Sequence, residues 1–511
     1  MIARAILAVM LVAVFAGPGR GQPASSRPNV ILILVDDMGY SDLGCYGSTI
    51  HTPNIDALAR RGVIFRQAYN SAKCEPTRSS LMAGQWWQDV DYGVKRGPTL
   101  GQVMKAAGYR TLAVGKWHLD GNPVDRGFDR YFGHLSGACN YFHGDSSFRL
   151  DREKFSVPRD GSFYTTDAFA DHAIRFIDQS LDEHADQPFF MYLAFNAPHS
   201  PLQAQPEDIA RSKGKFDAGW DVLRAQRIEA LRRNGLLDTR WAVADRPNTL
   251  PAWNSLSADN KAFEARRMEV YAAMIDRVDQ AVGRLTKRLE HRGIDENTMI
   301  VFLSDNGANP FDVFRQGEIG TASSKWYHGL GWAWLANTPG RFYKRNMHMG
   351  GAITSMIVSW PGAVVQPGTI TDEPTHVVDL MPTFLDVAGE PDSYPAEWAG
   401  QVMPPLPGRS IVPILKDQRP DERGALYFQL YDHRAVIADG SKLVSDCGGP
   451  WELYDLATDR FETHDLSATL PQQAAALAKQ WDDWASRRSI DLTPNGGEPG
   501  YRALKPPKTP Y

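Results

Sequence analysis

The stretch Val30-Ile31-Leu32-Ile33-Leu34-Val35-Asp36-Asp37-Met38-Gly39 decides the fold class of this chain. Six β-branched or leucine residues in a row leave no polar face, so residues 30–35 read as a strand covered on both sides. Such strands belong to parallel sheets with helices packed on both faces. The rest of the chain follows suit. Residues 99–107 form a helical pattern with Leu100, Val103, Met104 and Ala107 on one side, stopped by Gly108. Strand patterns occupy 110–114, 189–195, 299–303 and 353–360. A long helix over 262–289 repeats Tyr271, Met274, Ile275, Val278, Val282 and Leu285, and 377–388 reads as a further helix. The expected class is α/β, a large mostly parallel or mixed sheet sandwiched by helices. Beyond the proline-rich stretch 403–413 the texture changes. Short strands are predicted at 426–431, 435–438, 442–444 and 451–454, then a helix over 471–486, giving a smaller antiparallel sheet plus helix.

Composition sets the outer bounds. A chain of 511 residues with 43% hydrophobic and 23% charged content is an ordinary globular protein, large enough for two domains. Its net charge of −5 excludes a nucleic-acid binder that works through a global basic field. An anionic ligand has to be met by a local cluster of cations. The N-terminus carries Arg4, an apolar run over 6–15 and then Ala16-Gly17-Pro18-Gly19, a signal-peptide pattern too short to span a bilayer. Cleavage is expected between Ala16 and Ala24. No later segment is long and apolar enough for a stable membrane span, so the protein is expected to be exported, periplasmic or secreted. The chain has no Asn-x-Ser/Thr sequon, which favours a bacterial host. Cys45, Cys74, Cys139 and Cys447 show no zinc-site spacing. If Cys74 is set apart, at most one disulfide can form among the others. The tail from Thr493 is predicted to be irregular.

In open α/β sheets, ligands collect beyond the carboxyl ends of strands. Asp36 and Asp37 follow the first strand, and Lys116 and His118 follow 110–114. Asn196 and His199 follow 189–195, and Asp305 and Asn306 follow 299–303. Any one of these pairs is commonly only a turn. Together they put three carboxylates on one edge, where they repel unless a cation lies between them. The oxygen donors Asp36, Asp37, Asp305 and Asn306 suit a hard divalent ion, Ca²⁺ or Mg²⁺, with Ca²⁺ favoured. The run Asn70-Ser71-Ala72-Lys73-Cys74-Glu75-Pro76-Thr77-Arg78-Ser79-Ser80-Leu81-Met82-Ala83-Gly84 adds a cysteine at a helix start. Pro76 is preorganised for the first turn, so Cys74 meets the positive end of the helix and its free N–H groups. Arg78 lies one turn on. This is a place to hold an anion.

That run fits the C-x-P-x-R-x-x-L-x-x-G signature of formylglycine-dependent sulfatases, and the chain resembles a bacterial-type arylsulfatase of the alkaline-phosphatase-like superfamily. Similar stretches include Arg126-Gly127-Phe128-Asp129-Arg130-Tyr131-Phe132-Gly133, Ala197-Pro198-His199-Ser200-Pro201-Leu202, residues 264–276, Ala336-Asn337-Thr338-Pro339-Gly340-Arg341-Phe342-Tyr343-Lys344, and residues 451–456. With the residue patterns above, the expected organisation is a signal peptide over 1–24, a sulfatase catalytic domain over 25–415 and a C-terminal α+β subdomain over 416–511. The resemblance implies that a formylglycine-generating enzyme oxidises Cys74 to formylglycine, whose hydrate attacks sulfur and forms a covalent sulfate ester. Asp36, Asp37, Asp305 and Asn306, with residue 74 itself, would hold the metal. Arg78 and Lys116 would stabilise the diol. His199 and Lys344 would contact the sulfate and protonate the leaving oxygen, and His118 would deprotonate the second hydroxyl to expel sulfate. The implied substrate is a sulfated small molecule or a sulfated glycan.

Two stretches depart from the family pattern. Met349 stands where a Glu commonly follows the histidine, in His348-Met349-Gly350-Gly351, and residues 85–95 lack the usual histidine. Both departures bear on substrate choice before chemistry. Lys325 rivals Lys344 for the lysine role, and the local context favours Lys344. Trp86, Trp87, Trp326, Trp332 and Trp334 are candidates for a sugar platform, although core packing is the ordinary role of such residues. Two other functions stay open: a phosphonate or phosphodiester hydrolase using the same formylglycine, and a silent binding protein whose Cys74 is never oxidised.

Overall fold

The computed structural model describes residues 27–490 and 492. The expected signal segment 1–24 and the tail from Thr493 lie outside the described residues. The main sheet contains β1 (Asn29–Val35), β2 (Gly62–Tyr69), β3 (Arg110–Lys116), β4 (Arg130–His134), β5 (Phe148–Leu150) and β6 (Glu153–Lys154). It continues with β7 (Phe189–Ala194), β8 (Thr298–Ser304), β9 (Ile353–Ser359), β10 (Thr369–Thr371) and β11 (Thr375–His376). Their spatial order is β10-β2-β9-β8-β1-β7-β3-β4-β5-β6, with β11 also on β2. β8, β1, β7, β3 and β4 are parallel neighbours, while β9 runs antiparallel between β8 and β2. The short β10 and β11 escaped the sequence pattern because neither is long enough to show a period.

The unbroken apolar run of β1 is explained by what covers it. All seven of its residues are buried. Ile31, Ile33 and Val35 enter one core with Phe169, Met268 and Tyr271. Those partners come from helices Thr165–Glu183 and Ala258–Arg292. Val30, Leu32 and Leu34 enter the other core with Leu81, Met104 and Phe384. Those come from helices Cys74–Ala83, Leu100–Ala106 and Leu380–Val387. Alternate side chains of one strand thus serve two layers, each buried aliphatic stabilising by about 1.5–3 kcal/mol. The long helix outruns its expected 262–289 because Ser257 caps its start and Gly293, at φ 68°, closes its end. The expected helix 377–388 divides into a 3₁₀ turn, Val377–Asp379, and the helix Leu380–Val387.

A hairpin, β12 (Glu397–Trp398) and β13 (Gln401–Val402), leads to a four-stranded antiparallel sheet. That sheet holds β14 (Leu426–Leu430), β15 (His433–Ala438), β16 (Ser441–Ser445) and β17 (Glu452–Asp455). Helix Pro471–Ser486 packs Leu477, Trp481 and Trp484 inward. The α/β class with its small antiparallel sheet is what the sequence pattern predicts. Among the described residues, no helix is long and apolar enough to cross a membrane. All four cysteines are unpaired.

Candidate active site

The parallel arrangement carries the ends of β1, β2, β3, β7 and β8 to one edge, where β9 begins. Asp36 and Asp37 leave β1 there, Asp37 at φ 65°, and both are buried. The backbone pins them: Asp36 N–H donates to Ala197 O at 3.1 Å and Asp305 N–H to Val35 O at 3.0 Å. Cys74 opens the helix Cys74–Ala83 from an extended Lys73, with Pro76 two residues on. The thiol is only 3% exposed. It lies at the floor of the sheet edge rather than on its surface, because every residue of that helix except Glu75 is buried.

The side chains converge on Cys74. Its Sγ lies 3.2 Å from Asp36 Oδ1 and 3.0 Å from Lys344 Nζ. Lys344 also pairs with Asp37, and Lys116 with Asp36. Arg78, fully buried, donates from Nε to Asp305 Oδ2 at 3.0 Å and from Nη1 to Lys116 O and Tyr192 Oη, each at 3.1 Å. His199 Nε2 stands 3.5 Å from Asp37 Oδ2. Its Nδ1 lies 2.6 Å from Ser200 O, so Nδ1 carries the proton and Nε2 faces the centre. His118 adopts φ 54°, and its Nδ1 is buried with no hydrogen-bond partner. Gly137 passes so close that a Cβ there would sit 2.7 Å from His118 Nε2. The expected site residues are therefore brought together. Lys325 is not among them: it is exposed and reaches Gln316 Oε1 at 3.3 Å.

Burial and charge oppose one another here. Burial alone would raise Asp36, yet Lys116, His199, Arg78 and Lys344 hold its carboxyl well below the usual range. Asp37 is likewise lowered, by Lys344 and His199 against burial. Asp305 goes the other way, pushed up to about 7 by burial and by Asp36 despite Arg78. Burial, then Asp305 and Asp36, push the Cys74 thiol up to about 12, so it stays protonated. The residues suit a divalent cation. Donor atoms of Asp36, Asp37, Cys74 and His199 lie within 4.8 Å of one another. Asn306 Oδ1 is buried without a hydrogen-bond partner, while its Nδ2 reaches Asp37 Oδ1 at 2.7 Å. Asp305 turns Oδ2 to Arg78, and its Oδ1 accepts the Asp37 N–H at 3.3 Å.

Sequence reasoning missed Asn309, whose Nδ2 lies 3.0 Å from Asp37 Oδ2. Its only signal was a position four residues after Asp305. It also missed Glu462, whose Oε2 accepts the Met349 N–H at 2.8 Å. A carboxylate thus stands beside Met349, supplied by the C-terminal region. Residues 85–95 are clamped to the Cys74 helix: Trp87 N–H donates to Ser80 Oγ and Gly93 N–H to Ser79 Oγ, both at 3.0 Å. Of the tryptophans, Trp86, Trp332 and Trp334 are buried. Trp326 and Trp87 are half-buried, and Trp87 stacks on Tyr92 with centroids 4.4 Å apart. A cavity of about 530 Å³ is lined by Trp334, Arg341, Tyr343 and Asn346, on the segment that delivers Lys344.

Comparison with known proteins identifies the family. The Sulfatase family profile matches residues 28–390, and the profile N-sulphoglucosamine sulphohydrolase, C-terminal, matches 338–484. The chain is 34% identical to an arylsulfatase of Klebsiella aerogenes, over 71% of this chain and 87% of that one. It is 31% identical to an uncharacterized sulfatase of Schizosaccharomyces pombe, over 93% and 96%. Among solved structures, Ps i-CgsB in complex with k-i-k-neocarrahexaose superposes with TM-score 0.67 at 26% identity, covering 92% of this chain and 94% of that one.

Proposed function

We propose, from the premise that this chain belongs to the sulfatase family and is a sulfuric ester hydrolase, that it cleaves its ester through a formylglycine formed from Cys74. One observation carries the reading. The Cys74 thiol, pushed up to about 12 by burial and by Asp305 and Asp36, lies between Asp36 and Lys344, where a thiolate nucleophile is disfavoured, yet Lys344, Lys116, Arg78 and His199 gather around it. An aldehyde at that place, once hydrated, offers two hydroxyls. The first attacks sulfur, forming the sulfur–oxygen bond to residue 74 as the ester oxygen leaves. Lys344 donates a proton to that oxygen, and His199 does so from Nε2 when its ring carries a second proton, Nδ1 keeping the one held by Ser200 O. His118 then takes the proton of the second hydroxyl, the bond to sulfate breaks and the aldehyde returns. A cysteine or serine lacks the second hydroxyl and would stop at the sulfated enzyme.

Asp36, Asp37, Asp305 and Asn306 would hold a divalent metal, Ca²⁺ in preference to Mg²⁺ because the donors are all oxygen and its coordination tolerates irregular geometry. Bound there, it would lower the pKa of the hydrated residue 74 and neutralise the sulfate. Arg78, Lys116 and Lys344 already balance Asp36, Asp37 and Asp305, so a metal leaves the pocket positive and matched to an anion. We place the catalytic unit in 25–415 and the C-terminal unit in 416–511, and we propose export after loss of a signal peptide over 1–24. The substrate is a sulfated glycan or a sulfated small molecule, the glycan being supported by the carbohydrate complex of the similar structure.

A phosphonate monoester hydrolase of Agrobacterium radiobacter shares the fold at 20% identity and TM-score 0.56. Turnover of matched aryl sulfate and aryl phosphonate esters separates the two activities. The deciding experiment is the mass of the peptide containing residue 74, expected about 18 Da lighter than the thiol form. Active enzyme carrying only the unmodified cysteine overturns the mechanism.

A further inference from the structure

Outside the Cys74 centre, a second group of ligating side chains gathers on the small sheet. His433 starts β15, while Asp446 and Cys447 follow β16. Cys447 Sγ lies 3.5 Å from His433 Nε2, and Asp446 Oδ1 lies 2.8 Å from His433 Nδ1. Donor atoms of the three residues fall within 4.8 Å of one another. A tetrahedral zinc bound at about 2.0 Å to nitrogen and 2.3 Å to sulfur places those atoms roughly 3.5 Å apart, the separation found here. A carboxylate on the far ring nitrogen is how metal-binding imidazoles are oriented. The histidine is buried and the cysteine exposed, so an ion would have one anchored donor and one accessible side. Asn346 Nδ2 holds the same Asp446 Oδ1 at 2.7 Å. All three residues line the 530 Å³ cavity that Tyr343 and Asn346 share.

We propose that His433 and Cys447, with Asp446 behind the imidazole, form a second metal site for a soft or borderline divalent cation such as Zn²⁺. Thiolate and imidazole select such ions, whereas the carboxylate cluster at Cys74 selects hard ones. Cys447 loses its proton on binding, and its sulfur and His433 Nε2 supply two bonds. The remaining positions open to the cavity and take water. Neither the sulfatase reading nor the state of residue 74 is needed for this site.

The test uses the full chain, stripped with chelator and titrated with Co²⁺, whose thiolate complexes absorb in the near ultraviolet. One equivalent is expected to raise that band in the wild type and in Cys74→Ser, and none in Cys447→Ser. Asp446→Asn should weaken Co²⁺ affinity by about 10–100-fold. Cys447→Ser, on an exposed residue outside the catalytic centre, should retain wild-type aryl sulfate turnover and circular dichroism. A titration with no band, or a band lost in Cys74→Ser and kept in Cys447→Ser, overturns the proposal.

Discussion

The buried pair Lys442–Glu462 ties the small sheet to the loop that carries Lys344, and removing its cation should be among the costliest changes in the chain. Lys442 Nζ lies 2.6 Å from Glu462 Oε1, with both side chains fully buried. The same ammonium donates to Met347 O at 2.8 Å, while Glu462 Oε2 accepts the Met349 N–H at 2.8 Å. Burial lowers the Lys442 pKa against the pull of Glu462, which shows how dry the site is. In Lys442→Met the carboxylate loses its partner in a place water does not reach, a loss of about 3–5 kcal/mol. Lys442→Met/Glu462→Leu removes both charges and leaves the Met349 N–H without an acceptor, a loss of about 1–3 kcal/mol. The double variant should therefore be more stable than the single one. Urea denaturation of the three proteins, followed by tryptophan fluorescence, measures the order. A single variant within about 1 kcal/mol of wild type, or a double variant less stable than the single, would refute the reasoning about the buried pair.

His118→Ala should trap a covalent sulfate on residue 74, whereas His199→Ala should slow esters with poor leaving groups more than activated aryl esters. Mass spectrometry after one turnover and a leaving-group series check the two roles. Chelation should abolish turnover and added Ca²⁺ restore it, and Asp305→Ala should lower metal content in elemental analysis. Active protein with no bound metal counts against that ligand set. The last expectation concerns pH in the metal-free protein. Against burial, Asp446 and Cys447 hold His433 up at about 9, so the folded state keeps a proton that the unfolded chain, near ~6.5, gives up. Its stabilisation is full below ~6.5 and disappears as pH rises through 9. The urea-midpoint gap between wild type and His433→Gln should accordingly shrink between pH 6 and pH 10, about 0.5 below and 1 above that window.

What the sequence made legible follows from which forces act locally. β1 was readable because both faces of one strand are buried, so Val30 to Val35 carry the whole message in a continuous run. Asp36, Asp37, Lys116, His199, Asp305 and Asn306 were readable because strand polarity alone decides which end they occupy. Nothing comparable announced Glu462. Its carboxylate reaches Met349 across 113 residues of chain, from a turn at φ 62° whose placement depends on how the small sheet docks. The absence of a glutamate at position 349 looked like a lost charge in the sequence, and in the fold a carboxylate arrives there from elsewhere. Gly350 shows the same limit from the other side. A Cβ there would lie 2.1 Å from Phe342 O, so the turn that aims Lys344 requires glycine for a reason no local pattern displays. The same holds for the Cys447–His433–Asp446 group, which no spacing rule finds because its members meet only when β15 pairs with β16. Residues delivered by strand ends are legible one strand at a time. Residues delivered by docking become visible only when two layers are already in place.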